Sequence, residues 1–219
     1  MKMKFYESIE GHKILNEKYW PEKLKENLEK EDNFLVDNIK IDSVVLDVGS
    51  GGGRHIKLLS KKCKKLFGID YSRTMVDYSK RVLGGYSNVV ILNEDIKDSE
   101  FPKKSFDFII CMFNTFGNMD TETQKLFLKK IGYFIKSDGT IILSVYSDKA
   151  KETQIEFYDK IGLIFKGSDE DYVYTDGFTS ERFSKDKIKR IVESAKLKIK
   201  KIVELNEISL LLEIEKGDQ

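Results

Sequence analysis

Residues 45–54 read VLDVGSGGGR, an apolar run that leads into four glycines interrupted by one serine. The apolar run Ser43–Val48 is typical of a strand that is buried on both faces of a sheet. Glycines after such a strand let the backbone turn sharply and approach a ligand closely. The helix expected from Arg54 would offer free N–H groups and the positive end of its dipole. The stretch therefore predicts a strand, a ligand-binding loop and a helix, in that order.

The same alternation of strand and helix patterns continues along the chain. Short connections between such elements imply a parallel sheet with helices on both sides. Ser72 is expected to cap the second helix, Thr121 and Gln124 match a capping box for the third, and Gly139 is expected to close the turn after it. The predicted strands are Ser43–Val48, Lys65–Asp70, Asn88–Leu92, Phe106–Met112 and Thr140–Tyr146, and the predicted helices begin at Arg54, Ser72, Thr121 and Ser184.

The end of the chain departs from this rhythm. Two further strands are predicted at Lys198–Leu205 and Ser209–Glu215, and only Asn206–Ile208 joins them. A connection this short cannot make a parallel crossover, so these strands should be antiparallel neighbours at one edge of the sheet. We expect one α/β domain with a doubly wound, Rossmann-like sheet.

Two segments lie outside the regular pattern and define the expected domain organisation. Residues 1–40 form a partly amphipathic helical cap segment, with Pro21 at a first helical position. Residues 41–219 form the ligand-binding domain, and 147–183 are an insertion on its substrate side. The insertion should begin as a helix and then become aromatic and glycine-punctuated.

Charge and cysteine content exclude several classes of function. Lys+Arg number 38 and Asp+Glu 37, and a net charge of +1 does not indicate a phosphate-binding surface. The lysines of 61–65 and 196–201 are interpreted as solvated faces. Cys63 and Cys111 have no metal-binding spacing, so we expect neither a disulfide framework nor a metal site. Because 219 residues contain no signal peptide and no membrane span, we expect a cytoplasmic protein with no membrane partner.

An acidic residue next to the glycines discriminates between ligands. Asp47 lies two residues before Gly49, where it would repel a pyrophosphate and attract a cationic amino group. The glycines at 49, 51, 52 and 53 also do not match the G-x-G-x-x-G fingerprint of dinucleotide-binding proteins. The loop therefore favours a ligand such as S-adenosylmethionine (SAM), which carries an ammonium and a sulfonium group.

At this point the sequence resembles the class I SAM-dependent methyltransferases. Residues 46–53 resemble the first motif of that family, 68–72 the second, 93–96 the third, and 106–112 the fourth strand. The resemblance implies a seven-stranded mixed sheet, SAM as cofactor, and S-adenosylhomocysteine as product. It implies that the methionine part, the ribose, the adenine and the methyl group are held by residues of the loops after the first four strands. These residues are Asp47, Gly49, Ser50, Gly51, Gly53, Asp70, Tyr71, Ser72, Asp95, Ile96, Cys111, Met112 and Phe113.

The segment 111–118, CMFNTFGN, bears on the acceptor. It lacks the Asn/Asp-Pro-Pro-aromatic motif of amino-methylating DNA enzymes and is similar to small-molecule N-methyltransferases of the glycine/sarcosine type. This similarity makes Asn114 a candidate catalytic positioning residue. The alternative is that Asn114 caps a turn while Phe116 lies in the core.

Candidate substrate residues are aromatic side chains at positions where a cover over the pocket is expected, together with one arginine. Packing of the two peripheral segments onto the sheet is the alternative for any single ring. Arg182 could meet a substrate carboxylate or make a surface ion pair with Glu181 or Asp186. His55 is interpreted as structural or solvent-facing. The candidates are Tyr19, Trp20, Phe116, Tyr146 and Arg182.

These observations predict a SAM-dependent methyltransferase that acts on a nitrogen or oxygen atom of a small molecule. The expected partner is a small-molecule methyl acceptor, nucleic acid is disfavoured by the balanced charge, and the chain is expected as a monomer or homodimer. Two alternatives remain: a SAM-binding sensor or partner subunit without activity, and a methyltransferase acting on RNA or protein.

Overall fold

The computed structural model describes residues 5–217, whose strands form two sheets. Short 3-10 helices add turns at Glu17–Tyr19, Phe116–Asn118 and Asp148–Ala150. In chain order the other elements are α1 (Ile9–Lys13), α2 (Glu22–Asn38), β1 (Val44–Val48), α3 (Arg54–Leu59), β2 (Lys65–Asp70), α4 (Arg73–Leu83), β3 (Val89–Asn93), β4 (Phe106–Cys111), α5 (Thr121–Phe134), β5 (Ile135–Tyr146), α6 (Lys151–Lys160), β6 (Phe165–Ser168), β7 (Tyr172–Thr175), β8 (Thr179–Glu181), α7 (Lys185–Ser194), β9 (Leu197–Asn206) and β10 (Ser209–Lys216).

The large sheet has the order β3-β2-β1-β4-β5-β10-β9. Strands β1 to β5 are parallel, and β10 is antiparallel to both β5 and β9. This confirms the doubly wound α/β fold with seven strands and the antiparallel final pair. The strand order reverses between β1 and β4, and such a switch point is where open α/β sheets bind ligands.

The helices divide between the two faces of this sheet. Leu46 of β1 packs with α5 and α7 on one face, whereas its neighbour Val45 packs with α2, α3 and α4 on the other. Both residues are fully buried, and alternate residues of a strand point to opposite faces. Strand β1 is therefore covered on both sides, as its unbroken apolar run predicted.

The N-terminal segment and the insertion meet in a third apolar cluster. Phe5 and Leu24 come from the N-terminal side, and Phe157, Tyr158 and Phe178 come from the insertion. The insertion also contains the small antiparallel sheet β6-β7-β8, which the sequence analysis did not predict. Its strands have three or four residues each, too few for a recognisable alternation of apolar and polar positions.

Local predictions at several helix ends and turns differ from the structure. Helix α5 is capped by Asp120, whose side chain accepts from the Thr123 N–H, so the capping box at Thr121 was wrong by one residue. Pro21 precedes α2 rather than occupying its first position. Gly139 lies inside β5 instead of closing a turn. An added Cβ there would lie 2.9 Å from the Asp107 carbonyl oxygen, so close strand packing explains this glycine.

Within residues 5–217, none of the helices combines the length and the apolar character that crossing a bilayer requires.

Replacing Leu143 by Ala should test the buried centre of the sheet. Leu143 is fully buried in β5 and pairs with Cys111 on one side and Leu212 on the other. The cavity left by the lost side chain should lower the free energy of unfolding by about 2–5 kcal/mol in urea titrations. Val36→Ala, at a side chain that is 39% exposed, should change it by less than about 0.5 kcal/mol. Equal losses would contradict the burial pattern.

Candidate functional site

A cavity of about 680 Å³ lies where the parallel strands end. Its walls are the loops after β1, β2, β3 and β4, together with side chains from the N-terminal segment and the insertion. The strand order reverses at this place, so the loops after β1 and β4 leave in opposite directions and open a crevice. Many of the sequence-predicted cofactor residues line it: Gly49, Ser50, Gly51, Gly53, Asp70, Tyr71, Asp95, Ile96, Met112 and Phe113.

The loop after β1 has a backbone that only glycine adopts readily. Gly49 and Gly53 have φ angles of 75° and 82°, in the left-handed region. A Cβ on Gly49 would also lie 2.4 Å from the Thr115 methyl group of the loop after β4. These glycines therefore allow both the turn and the close approach of the two loops that bound the cavity.

Asp70, at the end of β2, fixes the glycine loop from the side. Its Oδ2 accepts from the Gly51 N–H at 2.9 Å, and its Oδ1 accepts from the Ser72 N–H at 2.9 Å. Burial raises the pKa of Asp70 to about 6 despite these two hydrogen bonds, which lower it, and the charges of Asp47 and Glu7 raise it further. The carboxylate is thus held at the cavity wall at an electrostatic cost.

Asp47 lies beneath the glycine loop rather than at the cavity wall. It is 1% exposed, and its Oδ2 has no hydrogen-bond partner among residues 5–217. The closest basic group is Nδ1 of His55, at 3.8 Å. Ser50 Oγ in the loop above is also buried without a partner. Buried polar atoms without partners are uncommon, and these two suit donors supplied by a bound molecule or water.

The loop after β3 supplies an acid and an apolar side chain side by side. Asp95 binds Lys97 through its Oδ2, which lies 3.2 Å from Nζ, and Ile96 is 5% exposed. Tyr71, from the loop after β2, contacts the ring of Tyr6 edge-on at 6.0 Å. An apolar surface with a carboxylate at its margin can hold a planar ring and accept from its amino group.

Strained backbone marks the end of β4. Phe113 and Asn114 both have left-handed φ angles, 53° and 54°, which cost non-glycine residues roughly 1–3 kcal/mol each. The Asn114 side chain accepts from the Tyr146 N–H and donates to Ser180 Oγ and the Glu181 carbonyl oxygen. These hydrogen bonds anchor the turn, which places the Phe113 side chain at the cavity while Asn114 itself is buried behind it.

A buried ionic cluster ties α2 to the start of α3. Glu31 is fully buried and accepts from Arg54, Asn27 and Ser144. Arg54 also donates to Asp32 at 2.8 Å, and its NH2 lies 2.7 Å from Nε2 of His55. A guanidinium group can only donate, so Nε2 of His55 is the acceptor in this contact. Arg54 and His55 line the cavity, although the sequence analysis had assigned His55 no place there.

Other sequence-predicted residues lie away from the cavity wall. Ser72 caps α4, and Cys111 is fully buried in β4, where burial and then the charge of Asp47 raise the pKa of its thiol. Phe116 packs between Phe127 and Phe183 in the core. Trp20 does line the cavity. Outside its wall are Asp47, Ser72, Cys111, Asn114, Tyr19, Phe116, Tyr146 and Arg182.

Arg182 corrects a more specific expectation. It is 1% exposed and donates to Gln154 and to the carbonyl oxygens of Asp169 and Glu170. It therefore links segments of the insertion from a buried position. The predicted surface ion pair with Glu181 or Asp186 was wrong. Sequence reasoning also did not single out Phe178 and Asn118, which line the cavity, because nothing in their local pattern distinguishes them from core or loop residues.

The chain matches the family described as a methyltransferase domain over residues 45–139. It is 25% identical over 177 residues to the demethylmenaquinone methyltransferase of Staphylococcus haemolyticus, a match that covers 74% of this chain and 73% of that protein. It is 35% identical over 69 residues to the rRNA adenine N-6-methyltransferase of Bacillus licheniformis, covering 32% of this chain and 24% of that protein. The second match thus spans about a quarter of its relative's length.

Among solved structures, the chain is similar to the 1,6-didemethyltoxoflavin-N1-methyltransferase of Burkholderia thailandensis, solved with 1,6-didemethyltoxoflavin and S-adenosylhomocysteine. The TM-score is 0.69 at 13% identity, and the match covers 88% of this chain and 79% of that one. A likeness at this identity concerns the fold.

The raised pKa of Asp70 predicts a pH-dependent effect of Asp70→Asn on the ligand-free protein. The carboxyl group ionises near pH 6 in the folded chain but near pH 3.9 when unfolded. The unfolded state therefore loses its proton first, and wild-type stability falls relative to the variant as pH rises from about 4 to about 6. Above pH 6 the difference should stay level. The free energies of unfolding of both proteins, measured by urea titration across this range, test the sign. A difference that is constant, or that shifts in favour of wild type with rising pH, would contradict it.

Proposed function

The chain belongs to the class I SAM-dependent methyltransferases, and from that premise we propose that it transfers the methyl group of SAM to a nitrogen or oxygen atom of a small molecule. S-adenosylhomocysteine is the second product. The observation that supports a small molecule as the methyl acceptor is the cover of aromatic side chains over the cavity, to which both peripheral segments contribute.

The unpartnered polar atoms and the shape of the cavity support SAM as the cofactor. Asp47 Oδ2 and Ser50 Oγ, at the glycine loop, are buried acceptors without a donor among the described residues. The ammonium group of the methionine part of SAM would supply such donors. The Asp70 carboxylate can accept from both vicinal hydroxyls of the ribose. Asp95 and Ile96 offer an acceptor and an apolar surface for the adenine.

Transfer needs alignment more than acid–base chemistry. When bound, SAM supplies a methyl group on a sulfonium whose thioether is a good leaving group. Met112 and Phe113, at the end of β4, would bound the space in which the acceptor lone pair meets that methyl group and would exclude water from it. Asn114 would act only through the turn that it anchors, as a positioning residue.

The cover over the cavity favours a small acceptor. Phe178 of the insertion lies 5.1 Å from the ring of Phe5, 5.9 Å from that of Tyr6 and 5.1 Å from that of Tyr158. The N-terminal segment and the insertion therefore pack against each other above the site. A folded RNA or protein would have to separate these rings to bring its target atom to the methyl group, whereas a small molecule needs only an opening of its own size.

Methylation of RNA is the second candidate, because several relatives are rRNA methyltransferases. One of them is the rRNA adenine N-6-methyltransferase of Bacillus licheniformis, matched over 69 residues. That match covers 32% of this chain, so most of the chain lies outside it. The aromatic cover described above weighs against this alternative.

Asp70→Ala should weaken SAM binding about 10- to 100-fold, because hydrogen bonds to a charged group contribute about 1.5–3 kcal/mol. Isothermal titration calorimetry of the purified protein measures the change. Asp77→Ala is the matched control, since Asp77 lies on the same α4 with a side chain that is 66% exposed, and it should bind as wild type does. Near wild-type affinity of the Asp70 variant would remove Asp70 from the proposed site.

SAM labelled in its methyl group tests the acceptor class. The protein should be incubated with labelled SAM and either a protein-free extract of small metabolites or total RNA. We expect label to enter the low-mass fraction and not the RNA. Label in RNA would contradict the small-molecule proposal, and binding of SAM without label in any fraction, including added protein, would favour a sensor or partner subunit.

A further inference from the structure

The amino-terminal ends of the parallel strands carry an uneven distribution of charge. The turns that lead into β1, β2, β4 and β9 meet at this end, opposite the cavity. The first residues of β5 and the last residues of β10 lie there too. Backbone hydrogen bonds join neighbouring turns: the Asp42 N–H donates to the Lys62 carbonyl oxygen, and the Gly217 N–H donates to that of Lys196. We call these six segments, 40–43, 61–65, 102–106, 135–138, 195–198 and 215–217, the basic end.

Lysines dominate the basic end, and most of their charge is not neutralised. Lys136 pairs with Asp107, and Lys198 pairs with Glu215. Asp42 and Asp138 are the remaining exposed carboxylates of these segments. Among the residues that the structure describes, seven lysines of these segments are exposed and make no ion pair: Lys40, Lys61, Lys64, Lys65, Lys103, Lys104 and Lys196.

Crowding of like charges is visible at Lys216. Burial, followed by the nearby charges of Lys104 and Lys103, lowers the pKa of its ammonium group. The whole-chain charge of +1 therefore conceals a strongly positive end, balanced by acids elsewhere in the chain.

Exposed apolar side chains lie among these lysines. Ile41, at 73%, is the most exposed of the large hydrophobic residues in the described chain, and it sits between Lys40 and Asp42. Tyr133 is 51% exposed, and its carbonyl oxygen accepts from the Lys104 N–H. Val36 is 39% exposed, and its carbonyl oxygen accepts from the Lys62 side chain. Three exposed apolar groups thus lie at the same end of the sheet as the unpaired lysines.

We propose that the basic end binds an anionic lipid surface, with the lysines facing the headgroups and Ile41 entering the interface. Lysines near such a surface are attracted by its negative potential, and apolar side chains gain by leaving water. Unpaired lysines spread over one face act together, whereas one lysine contributes little.

Lipid fits these observations better than nucleic acid. The six segments contain no arginine, the residue best suited to bidentate recognition of phosphate in nucleic acids. Aliphatic groups such as Ile41 and Val36 have no counterpart to bind on a phosphate backbone but can enter the interface of a bilayer. The basic end is also opposite the cavity, so RNA held there would not present a base to the site. A lipid surface held there leaves the cavity mouth open to water-soluble substrates.

Co-sedimentation with vesicles tests the proposal on the whole chain and does not depend on methyl transfer. Vesicles of equal parts phosphatidylcholine and phosphatidylglycerol should bind the protein at about 0.1 M salt and release it at about 0.5 M, while pure phosphatidylcholine vesicles should not bind it. The triple variant Lys61→Gln, Lys64→Gln, Lys103→Gln should bind the anionic vesicles at least about tenfold more weakly.

A second triple variant provides the matched control. Lys149→Gln, Lys151→Gln, Lys166→Gln removes the same charge from the insertion at the other end of the sheet and should bind vesicles as wild type does. Ile41→Ser should weaken vesicle binding about threefold or more without changing retention on polyuridylic acid. The proposal is overturned by no binding to anionic vesicles, by equal losses in the two triple variants, or by tighter binding to polyuridylic acid than to vesicles at equal salt. Unchanged melting temperatures of all variants show that folding is not the cause.

Discussion

The carboxylate of Asp70 holds together the two strand ends on which the site depends. By accepting from the Gly51 N–H, it fixes the glycine loop after β1 against the end of β2. The left-handed glycines alone would leave the loop many conformations. With the loop fixed, Ser50 Oγ is held within the loop and Asp47 Oδ2 is held beneath it, both without a hydrogen-bond partner. The raised pKa of Asp70 shows that burying this carboxylate lowers the stability of the ligand-free protein when the group is charged. Hydroxyl groups of a ligand that donate to it would favour the charged form again.

Much of the fold could be predicted because its signals are local and periodic. The apolar run of β1 and the glycines after it predicted a buried strand of a parallel sheet. The short link between β9 and β10 predicted the antiparallel edge. The convergence of most of the predicted cofactor residues at one cavity could be predicted for the same reason, since strand ends of a parallel sheet converge whatever the loops do. Errors of one residue at α5 arose because Asp120 and Thr121 are both competent caps, and only the structure shows which hydroxyl or carboxylate reaches the amide.

Long-range packing explains what could not be predicted. Arg182 carries a charge that usually lies at the surface, yet its NH2 group donates to two carbonyl oxygens of the loop between β6 and β7, inside the insertion. Asn114 has the sequence of a turn residue, and its partners Tyr146 and Ser180 are distant in the chain. The lysines around the basic end are dispersed over six segments, so a count along the chain shows balance where the fold produces a positive face.

The most direct test of the central claim is a calorimetric titration of the purified wild-type chain with SAM, S-adenosylhomocysteine and NADH. The account predicts micromolar binding of the first two, about −8 kcal/mol each, and no binding of NADH, because Asp47 and the glycine spacing oppose a pyrophosphate. Binding of NADH alone, or failure of the folded protein to bind either SAM or S-adenosylhomocysteine, would contradict it.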